Sequence, residues 1–485
     1  MKAEDLIARG EAMHQELGLE HYLTGAGLKA EPAFGAVYDR YADLASDDAL
    51  EAARTSGSVP LLEWVVDVRI GRTVADVDER QLVWEQQAVL DVDGLRIAYL
   101  RAPIEIANSP DRAYRHALDV ARAEAAATGL NTLRRERFRR EHELVACLGL
   151  GDYVDAVSSL SGIDLERLGV EARSFLERTE DMYVDSLGRL ASRRLGGPVS
   201  DLRRSDASWL FRADQFDAAF PPDRLLDTAA QQMAEMGLDY AVGGRVRFDT
   251  EERETKQPRA FCVPVRVPDE VYLVLRPRGG HSDYWTFWHE LGHAMHFASV
   301  EASRPFEAKW LGDNSVTEGF AMLWDHLTLD AGWIRRYADL SATAARELVF
   351  DLAVGELFLS RRYAAKLNYE LDLHRSDFQS SAARYRELLT SATRFEYLEE
   401  DYLLDVDPGF YAARYLRAWQ LQAALAHHLS EAHDEDWYRN PLAGVDVQSL
   451  MSRGQETPAH RLVEEMTGSA LSFDPVVARL ERVLQ

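Results

Sequence analysis

The 485 residues carry 55 lysines and arginines against 81 aspartates and glutamates, a formal charge of −26. A surface of that sign repels a nucleic-acid backbone, and no basic run is interleaved with aromatics, so nucleic acid is not an expected partner. The two cysteines, Cys147 and Cys262, are too few and too far apart in sequence for a secreted disulfide framework or a thiolate metal site.

The length leaves room for two or three domains around a large core. The first thirty residues alternate charge with short apolar steps, and no stretch approaches the length of a membrane span. The expected protein is therefore cytoplasmic, with no membrane partner. Its acidity either steers cationic peptides or only keeps the surface solvated.

From Ala3 to about Arg194 the pattern predicts helices almost throughout. Leu61 to Val74 and Leu82 to Leu100 read as helices, with Asp91 to Gly94 a break in the second. Glu141-His142-Glu143 reads as an isolated surface histidine among charges. Asp164 can cap a long bundle helix in which Leu165, Leu168, Ala172, Phe175, Thr179, Met182 and Leu190 keep a 3,4 rhythm. Leu195-Gly196-Gly197-Pro198 stops that helix and marks the expected boundary between a helical lobe, 1–195, and a second lobe, 196–485.

A small antiparallel sheet is expected over 245–275. Arg245 to Phe248 forms one strand, Phe261, Val263, Val265 and Val267 alternate with Cys262, Pro264 and Arg266 in a second, and Val271 to Leu275 forms the third. Pro264 cannot donate to a ladder, so the middle segment has one free side. That side either accepts an extended peptide by strand addition or lies under a loop.

The stretch richest in chemistry is His281 to Trp324. It contains Trp288-His289-Glu290-Leu291-Gly292-His293, an H-E-x-x-H array, after a Gly279-Gly280 break and a Ser282 or Asp283 that can cap a helix. Residues at i and i+4 share a helix face, so His289 and His293 can offer two imidazole nitrogens to one ion. Glu290 is rotated about 100° from His289, which sets its carboxylate beside such an ion, where a general base belongs. Glu318, 25 residues past His293 on a helix that Asp313 or Ser315 can cap, is the candidate third ligand. Three protein ligands leave one position open, as in a catalytic zinc site. Asp325, two turns beyond Glu318, can accept from a ligating imidazole and fix its tautomer. His296 either supports the ligands from behind or is simply packed. The plain alternative is two core histidines on an amphipathic helix, but imidazoles a turn apart on a half-buried face need polar partners.

Ala344 to Leu373 is a second long helix, with Leu348, Leu352, Leu359, Tyr363 and Leu367 inward. Near the end, Phe410-Tyr411 to Tyr415 places Tyr411 and Tyr415 on one helical face, where they either line a cleft or pack in the core.

Several of these segments, in this order, resemble the oligopeptidase F branch of the thimet oligopeptidase (M3) family of zinc metallopeptidases. Arg259-Ala260-Phe261-Cys262 is similar to its G-A-F-C strand, His289 to His296 to its H-E-L-G-H-A-x-H helix, and Phe410-Tyr411 to Tyr415 to its late F-Y-x-x-x-Y helix. The likeness spans roughly residues 245 to 425. It implies a mainly α, two-lobed helical body with a deep substrate channel and a small sheet beside one Zn2+, cleaving short unfolded peptides. It implies zinc on His289, His293 and Glu318, water activation by Glu290, and a substrate backbone held by Ala260, Phe261, Cys262 and Val263. Tyr415, with Tyr411 next, would stabilise the oxyanion. The chain departs from the family where a histidine precedes the tyrosine helix: Asp405-Val406-Asp407 stands there. Either Arg414 or Arg417 supplies a donor instead, or the transition state is held more weakly. The alternatives to an endopeptidase are a carboxypeptidase or dipeptidyl carboxypeptidase of related gluzincin fold, a weak or inactive zinc-binding homologue, and a helical scaffold without metal.

Overall fold

The computed structural model describes residues 1–376 and 378–485. Among the described residues the chain is mainly helical, with two small sheets. In order, the elements used below are α1 (Ala3–Gly25), α2 (Val59–Gln87), β1 (Val89–Val92), β2 (Leu95–Ala98), α3 (Arg112–Cys147), α4 (Leu165–Arg178) and α5 (Glu180–Leu195). They continue with β3 (Val246–Asp249), β4 (Phe261–Arg266), β5 (Glu270–Val274), α6 (His281–Ser299), α7 (Asn314–Asp325), α8 (Ala342–His374) and α9 (Tyr411–His433). No helix among the described residues is long and apolar enough to cross a membrane.

The chain divides into two compact units, each discontinuous in sequence. Unit 1 is Met1–Val68, Ala213–Val349 and Arg417–Arg479; unit 2 is Arg69–Arg212, Phe350–Leu416 and Leu480–Gln485. The division therefore does not follow the boundary expected at residues 195 and 196. Gly196, at φ 69°, ends α5 inside unit 2. Glycine and proline report where a helix must stop, which is a local matter, whereas a unit boundary depends on which side chains share a core.

Unit 1 holds the three-stranded sheet in the order β3-β5-β4. β4 runs antiparallel to β5, but β3 runs parallel to it, so the sheet is mixed rather than antiparallel. β4 is an edge strand, as Pro264 requires. The cover on it is neither a loop nor solvent alone: α1 lies against it so closely that a Cβ on Gly18 would sit 2.5 Å from the Pro264 carbonyl oxygen. Phe261 packs toward the same helix, its ring stacked on His21 with centroids 5.5 Å apart.

Unit 2 corrects several expectations. The segment before Leu100 is not a helix with a break; α2 ends at Gln87 and a β-hairpin follows. Its two-residue turn is Asp93-Gly94, with both residues at positive φ, the backbone that matches the twist of the flanking strands. Leu90, Val92 and Ile97 bury one face of the hairpin against Leu118 and Leu130 of α3. The long helix from Asp164 is two helices, interrupted at Thr179. Arg361 of α8 bonds both the Leu176 carbonyl (2.6 Å) and the Thr179 hydroxyl (2.7 Å), satisfying the end of α4 from a distant part of the chain. On α8, Leu348 and Leu367 are buried as expected, but Leu359 is 37% exposed.

His142 is not a surface histidine. Its Nε2 lies 2.9 Å from Nδ1 of His374 at the end of α8, and its ring stacks on Tyr153. Beside it Glu141 is fully buried and paired with Arg137. Burial pushes the Glu141 carboxyl up to about 7, against the pull of Arg137. A carboxyl raised above its unfolded value gives stability that is complete below about pH 4.5 and lost as pH rises through about 7. Chemical unfolding from about pH 5 to about pH 8 should therefore show a decline in the wild-type chain that Glu141→Gln reduces; parallel profiles would remove Glu141 as the cause.

Candidate metal centre

The start of α6 is held by two carboxylates, Asp217 from an earlier segment and Asp283 from its own first turn. Gly280 stands before it at φ 90°, Asp217 accepts from the His281 N–H (3.2 Å), and Asp283 accepts from the N–H groups of Arg278 (2.8 Å) and Gly279 (3.0 Å). The carboxylate of Asp283 thus orders the approach to the helix instead of capping it, as the sequence had suggested. Trp288, Leu291 and Met295 are buried along one face of α6, and Trp285 is half-buried. This fixes the rotation of the helix and turns His289 and His293 toward α7.

α7 begins at Asp313, whose side chain accepts from the Ser315 N–H at 3.0 Å. The same carboxylate accepts from the Ala459 N–H (3.0 Å) and from Arg417 (3.1 Å), so three parts of unit 1 fix where this helix starts. The two helices meet almost backbone to backbone. A Cβ on Gly292 would lie 2.6 Å from the Ala321 Cα and 2.9 Å from the Phe320 carbonyl oxygen. Gly319, on another face of α7, is equally tight against Leu421 of α9.

This close approach brings Glu318 to both imidazoles. Its Oε2 lies 3.5 Å from His289 Nε2 and 3.6 Å from His293 Nε2, and one ligand atom from each of the three residues falls within 4.8 Å of the others. The opposite ring nitrogens are both engaged: His289 Nδ1 meets Asp325 at 2.8 Å and His293 Nδ1 meets the Thr317 hydroxyl at 2.9 Å. With both Nδ1 atoms occupied, the Nε2 atoms are the ones that converge on Glu318. Asp325 also pairs with His326. Asp325 was legible as a partner from its spacing; Thr317 was not, although it directly precedes Glu318.

Burial disfavours a charged His289 ring, but Asp325 and Glu318 outweigh it and raise the imidazole to about 10. Burial also opposes ionisation of Glu318, and His293 and His289 overcome it, holding the carboxyl well below its usual range. The array is therefore arranged around a positive charge. The imidazole side chains remain 16% and 14% exposed, whereas Asp325 is 1% exposed, so a ligand can reach the ring nitrogens while the supporting carboxylate stays dry. Two imidazoles and a carboxylate are a donor set that could hold one metal ion. Glu290 lies on the β4 side, its Oε2 accepting the Cys262 N–H at 2.8 Å.

His296 is fully buried, its ring 4.8 Å from that of Phe320, and burial pushes its pKa down to about 3. Of the strand residues, Phe261, Cys262 and Val263 lie in β4 and Ala260 directly precedes it. Tyr411 and Tyr415 belong to unit 2, where their rings are 5.1 Å apart and Tyr415 lies 5.3 Å from Tyr363. Asp405 pairs with Arg362, and Asp407 pairs with Lys366 at 2.5 Å, so the segment in place of the family histidine is anchored to α8 by ion pairs. Arg417 serves the Asp313 cap.

No protein-family model matches the chain, and no curated protein matches it in sequence. Its fold is similar to the crystal structure of a "putative oligoendopeptidase F" from Bacillus anthracis strain Ames. The TM-score is 0.60 at 13% identity, with 97% of this chain and 82% of that one covered. At that identity the likeness establishes the fold, a helical body with small sheets.

Two substitutions test the geometry. Thr317→Val frees one ring and should weaken metal binding by about tenfold or more without changing the ligand count; competition with a chromophoric chelator reads this, and unchanged affinity would remove Thr317 from the site. Gly292→Ala should lose about 1–3 kcal/mol to overpacking, more than the roughly 1 kcal/mol that helix propensity returns. A denaturant midpoint that rises, with metal uptake intact, would contradict the close approach.

Proposed function

We propose that this chain is a zinc-dependent oligopeptidase that hydrolyses peptide bonds in short unfolded peptides. The observation that carries the reading is the convergence of His289, His293 and Glu318, with Glu290 fixed beside them on a strand N–H. Zinc is the metal that best suits two imidazoles and one carboxylate, and when bound it supplies Lewis-acid polarisation of the peptide carbonyl and a more acidic water. His289, His293 and Glu318 would hold it, oriented by Asp325 and Thr317.

Glu290 acts as the general base: its carboxylate takes a proton from the attacking water and delivers it to the leaving amine. The Cys262 N–H keeps that carboxylate next to the strand, where Ala260, Phe261, Cys262 and Val263 would hold the substrate backbone. The fold likeness to a protein named as an oligoendopeptidase supports a peptide substrate.

Replacing Glu290 by Gln should leave one metal per chain and lower turnover by about a hundredfold to ten-thousandfold. Elemental analysis paired with mass spectrometry of a mixed-peptide digest reads both quantities, and full activity in that variant would end the scheme. Glu318→Ala should lower metal occupancy. Peptides blocked at both ends should still be cut internally; products released only from free C-termini would make the enzyme an exopeptidase.

A further inference from the structure

The β1–β2 hairpin of unit 2 has one buried face and one open face. Leu90, Val92 and Ile97 turn toward α3, so the residues that alternate with them turn outward: Val89 and Asp91 on β1, Arg96 and Ala98 on β2. All four are exposed. The ladder sets Val89 opposite Ala98 and Asp91 opposite Arg96. Leu100 continues the outward series two residues after Ala98 and is 51% exposed, and Leu95, beside the turn, is 59% exposed. The flanking segments add three more exposed side chains, Leu82 and Val83 at the end of α2 and Ile104 in the helix Ala102–Asn108. Exposed apolar residues are ordinary when scattered, but Leu82, Val83, Val89, Leu95, Leu100 and Ile104 all fall within one short stretch. At about half exposure each, they leave on the order of a few hundred Å² of apolar surface, the size that marks an association site on a soluble protein.

Two features identify what covers this face. The first is its charge pattern. Asp91 and Arg96 stand across the ladder from each other without forming an ion pair among the described residues, and the Asp91 carboxylate accepts the Gly94 N–H instead (3.0 Å). A two-fold axis running along the strands lays β1 of one copy over β2 of another. Asp91 then meets the partner's Arg96, Arg96 meets the partner's Asp91, and Val89 meets the partner's Ala98. The face complements itself, as an interface between identical copies must. A long arginine and a short aspartate together span the roughly 10 Å between packed sheet faces. The second feature is the distribution of net charge. Most of the chain's excess of acids lies in unit 1, and unit 2 is nearer balance, so two copies that meet through the hairpin repel each other less than contact through unit 1 would require.

We propose that the outward face of the hairpin is the docking surface for a second copy of this chain, packed face to face about a two-fold axis. The apolar side chains supply the middle of an interface that takes about 800 Å² from each partner, and the two Asp91–Arg96 contacts fix its register. This interface stands whether or not the metal centre cuts peptides.

Sedimentation equilibrium of the full-length protein reads the association directly. Between about 0.5 and 50 μM the mass should rise from that of one chain to that of two, with a Kd on the order of 1–10 μM. Asp91→Arg and Arg96→Asp should each raise that Kd by about tenfold or more, because each sets like charges against each other across the axis. Mixed in equal amounts, the two variants should associate again, since each offers the other the opposite charge at both positions. Leu100→Lys leaves the turn, Asp91 and Arg96 in place and should abolish the dimer on its own, which guards against a hairpin disordered by loss of the Asp91 bond to Gly94.

A wild-type chain that stays monomeric to about 50 μM would overturn the proposal and leave the face to a partner of another kind. Variants that associate as the wild type does, or a mixture that stays monomeric while the wild type dimerises, would overturn it as well and assign the dimer to another surface.

Discussion

The approach of α6 to α7 at Gly292 is the constraint on which the candidate site depends. A side chain at that position would meet the backbone of Ala321 and Phe320, so the helices reach this separation only because glycine stands there. The separation in turn brings a carboxylate from one helix to two imidazoles on the other. Everything around the pair serves it: a buried aromatic face sets the rotation of α6, and Asp313, gripped from two further segments, sets the start of α7.

The electrostatics follow from that geometry. Glu318 and Asp325 would be costly to bury alone, and their proximity to His289 and His293 offsets the cost. Two anions and two imidazoles in one half-buried space favour an added positive charge, whether proton or metal. The supporting hydrogen bonds from Asp325 and Thr317 belong to the same economy, because they decide which nitrogen of each ring faces the centre.

α1 gives unit 1 a second role for its N-terminal segment. Gly18 and Gly25 let the helix lie against β4, closing the strand edge near Pro264. The edge strand is thus neither fully free nor fully covered. In unit 2, ion pairs from α8 to Asp405 and Asp407 fix the approach to the tyrosine helix, giving that segment a structural anchor.

The sequence by itself determined what repeats over one or two turns or alternates along a strand. His289 and His293 share a face because they are four apart, Asp313 caps because it precedes a helical run, and Pro264 marks an edge because it lacks an N–H. Only the tertiary structure decided what depends on partners far away in the chain. Thr317 supports His293 because α6 packs on α7, His142 is half-buried because His374 arrives 232 residues later, and the end of the helix before Thr179 is satisfied by the distant Arg361. The parallel pairing of β3 and the cover of β4 by α1 belong to the same class. Local spacing fixes which face a residue occupies; long-range packing fixes what that face meets.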